Sequence, residues 1–217
     1  MANILRELFR EEGNRHAHGK SFTDELCPDA WFAVDMMCSS TNELPYHKIE
    51  DLESEKRKII FLLESPHIEE FTRDDGPAPA NGKTGKFLRS FWKQIFGSKY
   101  SDWIIVLVNA VQFQCSLGHS PIDGKIRDAV FRRLMVQDAF KDHLRARVSK
   151  IASNEDVIFN ACTKGKGRIY AGSKKLNNKE CVGLSMTGFN VIDIYHPCSW
   201  MYHWKGVKKI VDEELNS

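Results

Sequence analysis

The chain has no apolar run that approaches the ~20 residues a membrane-spanning helix needs. Its amino-terminal stretch, MANILRELFREEGNRH, is amphipathic and charged rather than signal-like, so a cytoplasmic protein without a membrane partner is expected. The six cysteines, Cys27, Cys38, Cys115, Cys162, Cys181 and Cys198, include no C-x-x-C pair. That argues against a zinc ribbon or a redox motif and predicts buried, reduced thiols. None of the histidines (His16, His18, His47, His67, His119, His143, His196, His203) forms an H-E-x-x-H-like pair, which leaves a zinc enzyme as the least supported reading. No repeat and no linker divides the chain, and at 217 residues one domain is the better prior.

Neither sign of charge dominates, with a net charge of +2, and hydrophobic and charged contents of 42% and 28% are those of an ordinary globular protein. The positive charges nevertheless cluster. Lys83, Lys86, Arg89 and Lys93 form one group, and Lys164, Lys166, Arg168, Lys174, Lys175 and Lys179 form another. Such clusters suit a face that binds a polyanion, although solvated loops give the same pattern.

Four apolar runs rich in β-branched residues read as strands: 58–64 (KIIFLLE), 103–111 (WIIVLVNAV), 156–160 (DVIFN) and 190–195 (NVIDIY). Their hydrophobicity is continuous rather than alternating, which marks strands covered on both faces and hence a mainly parallel sheet. Between them, apolar residues recur at helical spacing over 84–96 and 125–151. Ahead of them, 2–12 and 29–37 read as helices in an amino-terminal part, 1–57, packed on the sheet. The segments 73–82 and 164–179 read as loops. The expected fold is α/β: a three-layer αβα sandwich around a central, mainly parallel four-stranded sheet.

In open α/β sheets ligands bind beyond the carboxyl ends of the strands, and polar residues gather there. The first strand runs into Glu64, Ser65, Pro66 and His67, the second contains Asn109, the third ends at Asn160 and the fourth leads to His196-Pro197. Each has a plain alternative: Asn109 can satisfy backbone groups, His196-Pro197 can end a strand, and Ser65-Pro66 can be a turn.

Taken in this order, the segments resemble the uracil-DNA glycosylase superfamily. The first motif of that family reads G-Q-D-P-Y-H, G-E-A-P-G or G-M-N-P-G in different branches, beside Leu63-Glu64-Ser65-Pro66-His67 here. The iron–sulfur branch opens its next helix with F-V-G-R-A-G-Q-L-L, and Ala80-Asn81-Gly82-Lys83-Thr84-Gly85-Lys86-Phe87-Leu88 places both glycines in register. Val108-Asn109-Ala110-Val111 matches L-N-T-V or T-N-V-V, and His196-Pro197-Cys198-Ser199 matches H-P-S-P or H-P-A. The likeness covers 58 onward. No single motif is specific; four in order on the right elements are.

The resemblance implies cleavage of an N-glycosidic bond in DNA, with negative charge growing on the departing base. His196 would donate to a base carbonyl, and Asn109 would supply donor and acceptor to the Watson–Crick edge. The Gly82-Lys83-Thr84-Gly85 amides would bind phosphate or base oxygen. The target must be flipped out of the duplex, and Trp200, Met201 and Tyr202, after Ser199, are the wedge candidates.

Four departures loosen the substrate. Ser65 stands where one branch has a water-positioning aspartate, which passes that work to Glu64. Ala80 stands where uracil-specific members have an aromatic platform, which suggests a wider pocket. Asn160, or Thr163 in the same segment, adds a polar group that could meet hydroxyls on a substituent. The iron–sulfur cysteines are missing, so no cluster, metal or other cofactor is expected. The expected activity is excision of a modified or damaged pyrimidine, such as glucosylated hydroxymethylcytosine of phage DNA, by a monomer that leaves an abasic site. A defence role against such phages extends that reading. The alternatives are a uracil enzyme of base-excision repair, a non-catalytic DNA-binding protein on the same fold, and a hydrolase of free nucleosides.

Overall fold

The computed structural model describes residues 2–16, 22–38, 46–53, 55–98, 100–116 and 121–215. His18 and His119 lie outside them. In chain order the elements are α1 (Ala2–His16), β1 (Ala30–Ala33), β2 (His47–Lys48), β3 (Lys58–Leu63), α2 (Lys83–Ile95), β4 (Ile104–Asn109), α3 (Pro121–Met135) and α4 (Asp138–Ile151). They continue with β5 (Val157–Asn160), β6 (Ile169–Ala171), β7 (Lys174–Leu176), α5 (Asn178–Ser185), β8 (Val191–Asp193) and α6 (Trp200–Leu215).

All six residues of β3 and all six of β4 are buried. Successive strand side chains point to opposite faces, so the two runs divide between two cores. Ile60, Leu62, Val106 and Val108 pack with Leu5 and Phe9 of α1, Val130 and Leu134 of α3, Leu144 of α4 and Val182 of α5. Ile59, Phe61, Leu63, Ile105 and Leu107 pack with Leu88, Trp92 and Ile95 of α2 and with Trp200, Val207 and Val211 of α6. Helices thus cover both faces of the sheet. Phe61 sits at the heart of the second core, its ring 5.6 to 6.5 Å from those of Trp92, Phe96, Phe159 and Trp200. Truncating such a residue to alanine costs about 3–5 kcal/mol.

The sheet has six strands in the order β2-β1-β4-β3-β5-β8, not four. The four runs read as strands form its parallel part, β4-β3-β5-β8. β1 pairs antiparallel with β4, and β2 pairs antiparallel with β1, which makes the sheet mixed. The segment expected as a helix over 29–37 is therefore a strand followed by a 3-10 turn, Val34–Cys38. Ala30 to Ala33 take their pairing from Leu107 to Ile104, a distant partner that overrides a short apolar run's local preference.

Two further expectations are corrected. The single helix over 125–151 is two, with Gln137 in extended conformation as the cap of α4. The loop over 164–179 contains the β6–β7 hairpin and the start of α5. The hairpin turns at Gly172 (φ 61°), a left-handed conformation that glycine adopts freely. α5 starts in a reciprocal capping box between Asn177 and Glu180.

At the amino ends of the parallel strands Lys58 and Asp156 form a buried ion pair at 3.3 Å that joins β3 to β5. The carboxyl ends, opposite, hold the cavity described next. Among the described residues no helix is long and apolar enough to cross a membrane.

Candidate functional site

β3 and β4 end side by side, with Leu63 paired to Asn109. The chain leaves β3 toward α2 on one side, and β5 lies on the other, so the crevice opens where the strand order reverses. Beyond these ends lies a cavity of about 160 Å³. It is lined by residues from β3 (Leu63) and the turn after it (Glu64, Ser65, His67, Glu69, Glu70), the start of α2 (Gly82, Lys83, Thr84), β4 (Asn109) and α3 (Arg127). Ser116 and, after β8, His196 and Cys198 complete it. A second cavity of about 700 Å³ shares His196 and Cys198 with it and is also lined by Thr163, Lys164, Lys179, Tyr195, Ser199 and His203.

Glu64 is held in a polar network beneath the cavity. Thr163 Oγ1 and Asn178 Nδ2 each donate to Glu64 Oε1 at 2.6 Å. Both bonds fall on one oxygen, so Oε2 is the one left for a ligand. Asn178 Nδ2 also donates to Asp128 Oδ1 (3.0 Å), and Arg132 Nη1 donates to Asn178 Oδ1 (2.8 Å). Asp128 in turn accepts from Arg127 Nη2 (2.7 Å) and from the Lys166 backbone amide (2.5 Å). Burial pushes the Glu64 carboxyl above the usual carboxylate range, against the pull of Arg127 and the two donors.

His196 closes the cavity from the β8 side. Its Nδ1 accepts the Cys198 amide at 3.2 Å, which assigns the proton of the neutral ring to Nε2. Burial pushes its pKa down to about 4, with Arg127 and Lys179 adding to the shift. At neutral pH the ring is an uncharged donor. His67 plays a local part, its Nδ1 accepting the Glu69 amide at 3.4 Å at the head of a 3-10 turn, Ile68–Phe71.

Glu70, on that turn, is a cavity residue that the sequence motifs do not point to. Asn109 Nδ2 donates to its Oε2 at 3.3 Å, and the backbone at Ala80 and His67 bonds its carboxyl as well. Burial pushes the carboxyl up to about 8. Cys27, wedged against Glu70 and Asn109, has its thiol pushed far up by burial and by Glu70. Arg127, Glu69 and Ser116 were also missed. Arg127 reads as one more charge on an amphipathic helix, and nothing local marks it as facing the site.

The start of α2 lies at the cavity with Gly82 as its cap, and no side chain caps its amides. A Cβ at Gly82 would sit 2.0 Å from Glu69 Oε2, so the glycine admits that carboxylate. Gly85 is buried in the first turn of α2. Beside it, an open basin of about 420 Å³ is lined by Lys83, Lys86 and Arg89 together with Glu69, Thr72, Asn81 and Gly82.

Several sequence expectations are corrected here. Trp200 is 0% exposed, with its indole N–H donating to Tyr195 O at 2.7 Å, so it is a core residue and not a wedge. Met201 and Tyr202 stand exposed at the start of α6, at 47% and 76%. Asn160 is fully buried, bonding Lys179 O (3.1 Å) and the Cys162 amide (3.3 Å), and faces neither cavity. Thr163, its alternative, does reach the second cavity. Ala80 points into the core with Phe61 and Trp92 and does not line the cavity, so its small size does not widen it. Pro66 is buried outside the lining. Lys166 and Arg168 are exposed and line neither cavity. Among the described residues no cluster of His, Cys, Asp and Glu side chains could hold a metal ion.

No protein-family model matches the chain, and no curated protein and no solved structure matches it either.

Proposed function

We propose that the protein is a DNA N-glycosylase that flips a modified or damaged pyrimidine out of the helix and releases it as the free base, leaving an abasic site. The observation that carries this reading is that a neutral histidine donor (His196), a buried carboxyl group (Glu64) and a buried asparagine (Asn109) line one cavity. They suit three demands of base release: a donor for the departing base, a group facing the cationic sugar and a polar edge for the ring. As the N-glycosidic bond breaks, its electron pair moves onto the base, and His196 Nε2–H donates to the base carbonyl where that charge gathers. Glu64 faces the cationic sugar and takes a proton from the water that adds to its anomeric carbon. Asn109 meets the ring edge. The cavity suits a pyrimidine ring, and the larger one across His196 gives a bulky substituent, such as a sugar on hydroxymethylcytosine, somewhere to go. The basin lined by Lys83, Lys86 and Arg89 supplies positive charge for backbone phosphates beside the cavity.

The test is incubation with oligonucleotides containing uracil, hydroxymethylcytosine, glucosylated hydroxymethylcytosine or an alkylated base, followed by hot alkali to cut any abasic site. Cutting of a modified pyrimidine supports the proposal, and cutting of uracil alone returns the protein to the uracil class. DNA held in a gel shift with no cutting of any oligonucleotide overturns the enzyme reading in favour of a binding protein.

A further inference from the structure

Between Lys164 and Lys179 the chain carries six cations and no acidic residue. One of them, Lys179, is used inside the fold, donating to the carbonyls of Asn160 (3.1 Å) and Ile194. The other five, Lys164, Lys166, Arg168, Lys174 and Lys175, are exposed, and none forms an ion pair with a described residue. Like charges gathered on one short segment repel one another, and a bound polyanion relieves that repulsion.

The β6–β7 hairpin sorts the segment into two faces. Ile169 and Ala171 of β6 and Leu176 of β7 turn inward onto the core that α1, α3, α4 and α5 share. Tyr170 and Lys175, paired across the ladder, turn outward. Tyr170 is 68% exposed, Lys175 Nζ lies 5.5 Å from its ring centre, and Arg168 stands exposed two residues earlier. An unpaired base stacks on an open ring of this kind while its phosphates meet the cations around it. A base within a duplex is already stacked on its neighbours and does not offer that face.

The hairpin is also fixed to the site. The Lys166 amide donates to Asp128 Oδ2 at 2.5 Å, and Arg132 Nη2 donates to the Lys166 carbonyl at 2.8 Å. Asp128 and Arg132 both bond Asn178, which bonds Glu64, so the root of the hairpin and that carboxyl share one network. Lys164 lines the second cavity. The basin on α2 lies on the opposite layer of the sheet, since α2 packs on the Phe61 core and the hairpin on the other. Positive charge therefore stands on both layers beside the cavity.

We propose that the outer face of the β6–β7 hairpin binds an unpaired DNA strand, with Tyr170 stacking on a base and Arg168 and Lys175 meeting phosphates. This rests on the nucleic-acid reading of the cavity but not on base release. A strand that crosses the cavity mouth is held by the α2 basin on one side and by the hairpin on the other.

The test measures binding of the full chain to an unmodified single-stranded oligothymidylate and to a blunt duplex of the same length, by fluorescence anisotropy. Tyr170→Ala is expected to weaken single-strand binding about 10-fold and duplex binding by less than ~2-fold, while Tyr170→Trp keeps the wild-type affinity. Replacing Arg168 and Lys175 together by alanine should reduce the single-strand slope of log affinity against log salt by about 1.4. Equal single-strand affinity in the wild type and Tyr170→Ala overturns the inference, as does an equal loss on the duplex or a wild type that binds no oligothymidylate. Single-strand binding that depends on Tyr170, in a protein that cuts none of the modified oligonucleotides, upholds the hairpin and removes base excision. Cutting of a modified pyrimidine by a Tyr170→Ala protein with undiminished single-strand affinity does the reverse.

Discussion

Asn178 Nδ2 lies 2.6 Å from Glu64 Oε1, a bond between the first residue of α5 and the turn that follows β3. Through it the one carboxylate assigned to the sugar depends on a helix 114 residues further along the chain. Replacing Asn178 by leucine removes a donor from Glu64 and an acceptor from Arg132, both buried. A loss of about 1–3 kcal/mol in denaturant unfolding is expected, together with a large fall in base release. Full activity in a destabilised Asn178→Leu protein would show that Glu64 needs no such support.

Gly165 guards the same bond from the other side. It holds φ at +65°, and a Cβ there would lie 2.5 Å from Asn178 Nδ2. Asn178 is short and fully buried, so it has no room to yield. Gly165→Ala should destabilise by at least about 1–3 kcal/mol from backbone strain, while Gly172→Ala, with nothing within 4 Å of its Cβ, should cost only the strain of its own φ. Thermal melts of the pair separate the two effects.

His196 donates without carrying charge, so its removal should strike the chemical step and spare binding. His196→Ala is expected to slow single-turnover base release about 100- to 1,000-fold with little change in DNA affinity. Since its pKa is held at about 4, His196 should contribute no acid limb near 6.5, the usual imidazole value. An acid limb between pH 7 and 6 that is present in the wild type and absent from the residual activity of His196→Ala would contradict the neutral-donor role, whereas one that persists in the variant belongs to Glu64, whose carboxyl burial raises.

Glu70 gives stability a pH dependence of known sign. Its folded pKa of about 8 lies above the ordinary carboxyl value of 4.5, so between these values the folded protein holds a proton that the unfolded chain has lost. Stability therefore falls as pH rises. His196, shifted the opposite way, acts below 6.5 and leaves the window above it clear. Between pH 6.5 and 8 the wild type should lose about 2 kcal/mol that Glu70→Gln keeps, since glutamine has no proton to lose. Parallel urea titrations at the two pH values measure the difference.

DNA binding should draw on the basin beside α2. Lys86 and Arg89 line it with Lys83 but stand outside the cavity itself. Replacing both with alanine should reduce the slope of log affinity against log salt by about 2 if each meets a duplex phosphate. An unchanged slope would move the phosphate track elsewhere.

The parallel half of the sheet was legible because β3 and β4 are continuous apolar runs, a pattern that burial on both faces imposes. β1 was not, since Ala30 to Ala33 take strand geometry from their pairing with β4, and Ala30 and Trp31 from β2 as well. The site divides in the same way. Glu64, Asn109 and His196 sit at strand ends, where position along the chain predicts position in space. Glu70 and Arg127 come from a turn and a helix flank, and only the packing brings them in. Trp200 shows the reverse error: it adjoins the His-Pro turn in sequence, but α6 carries its ring into the core beside Phe61.

The cavity is assembled from residues between Leu63 and Cys198, with Cys27 behind them. Its walls come from both sides of the sheet's crossovers, and no contiguous fragment contains them. A chain that has collapsed around β3 and β4 but not yet docked β8 has its carboxylates in place and no histidine opposite them. The finished cavity therefore exists only where the β8 end of the sheet is in place.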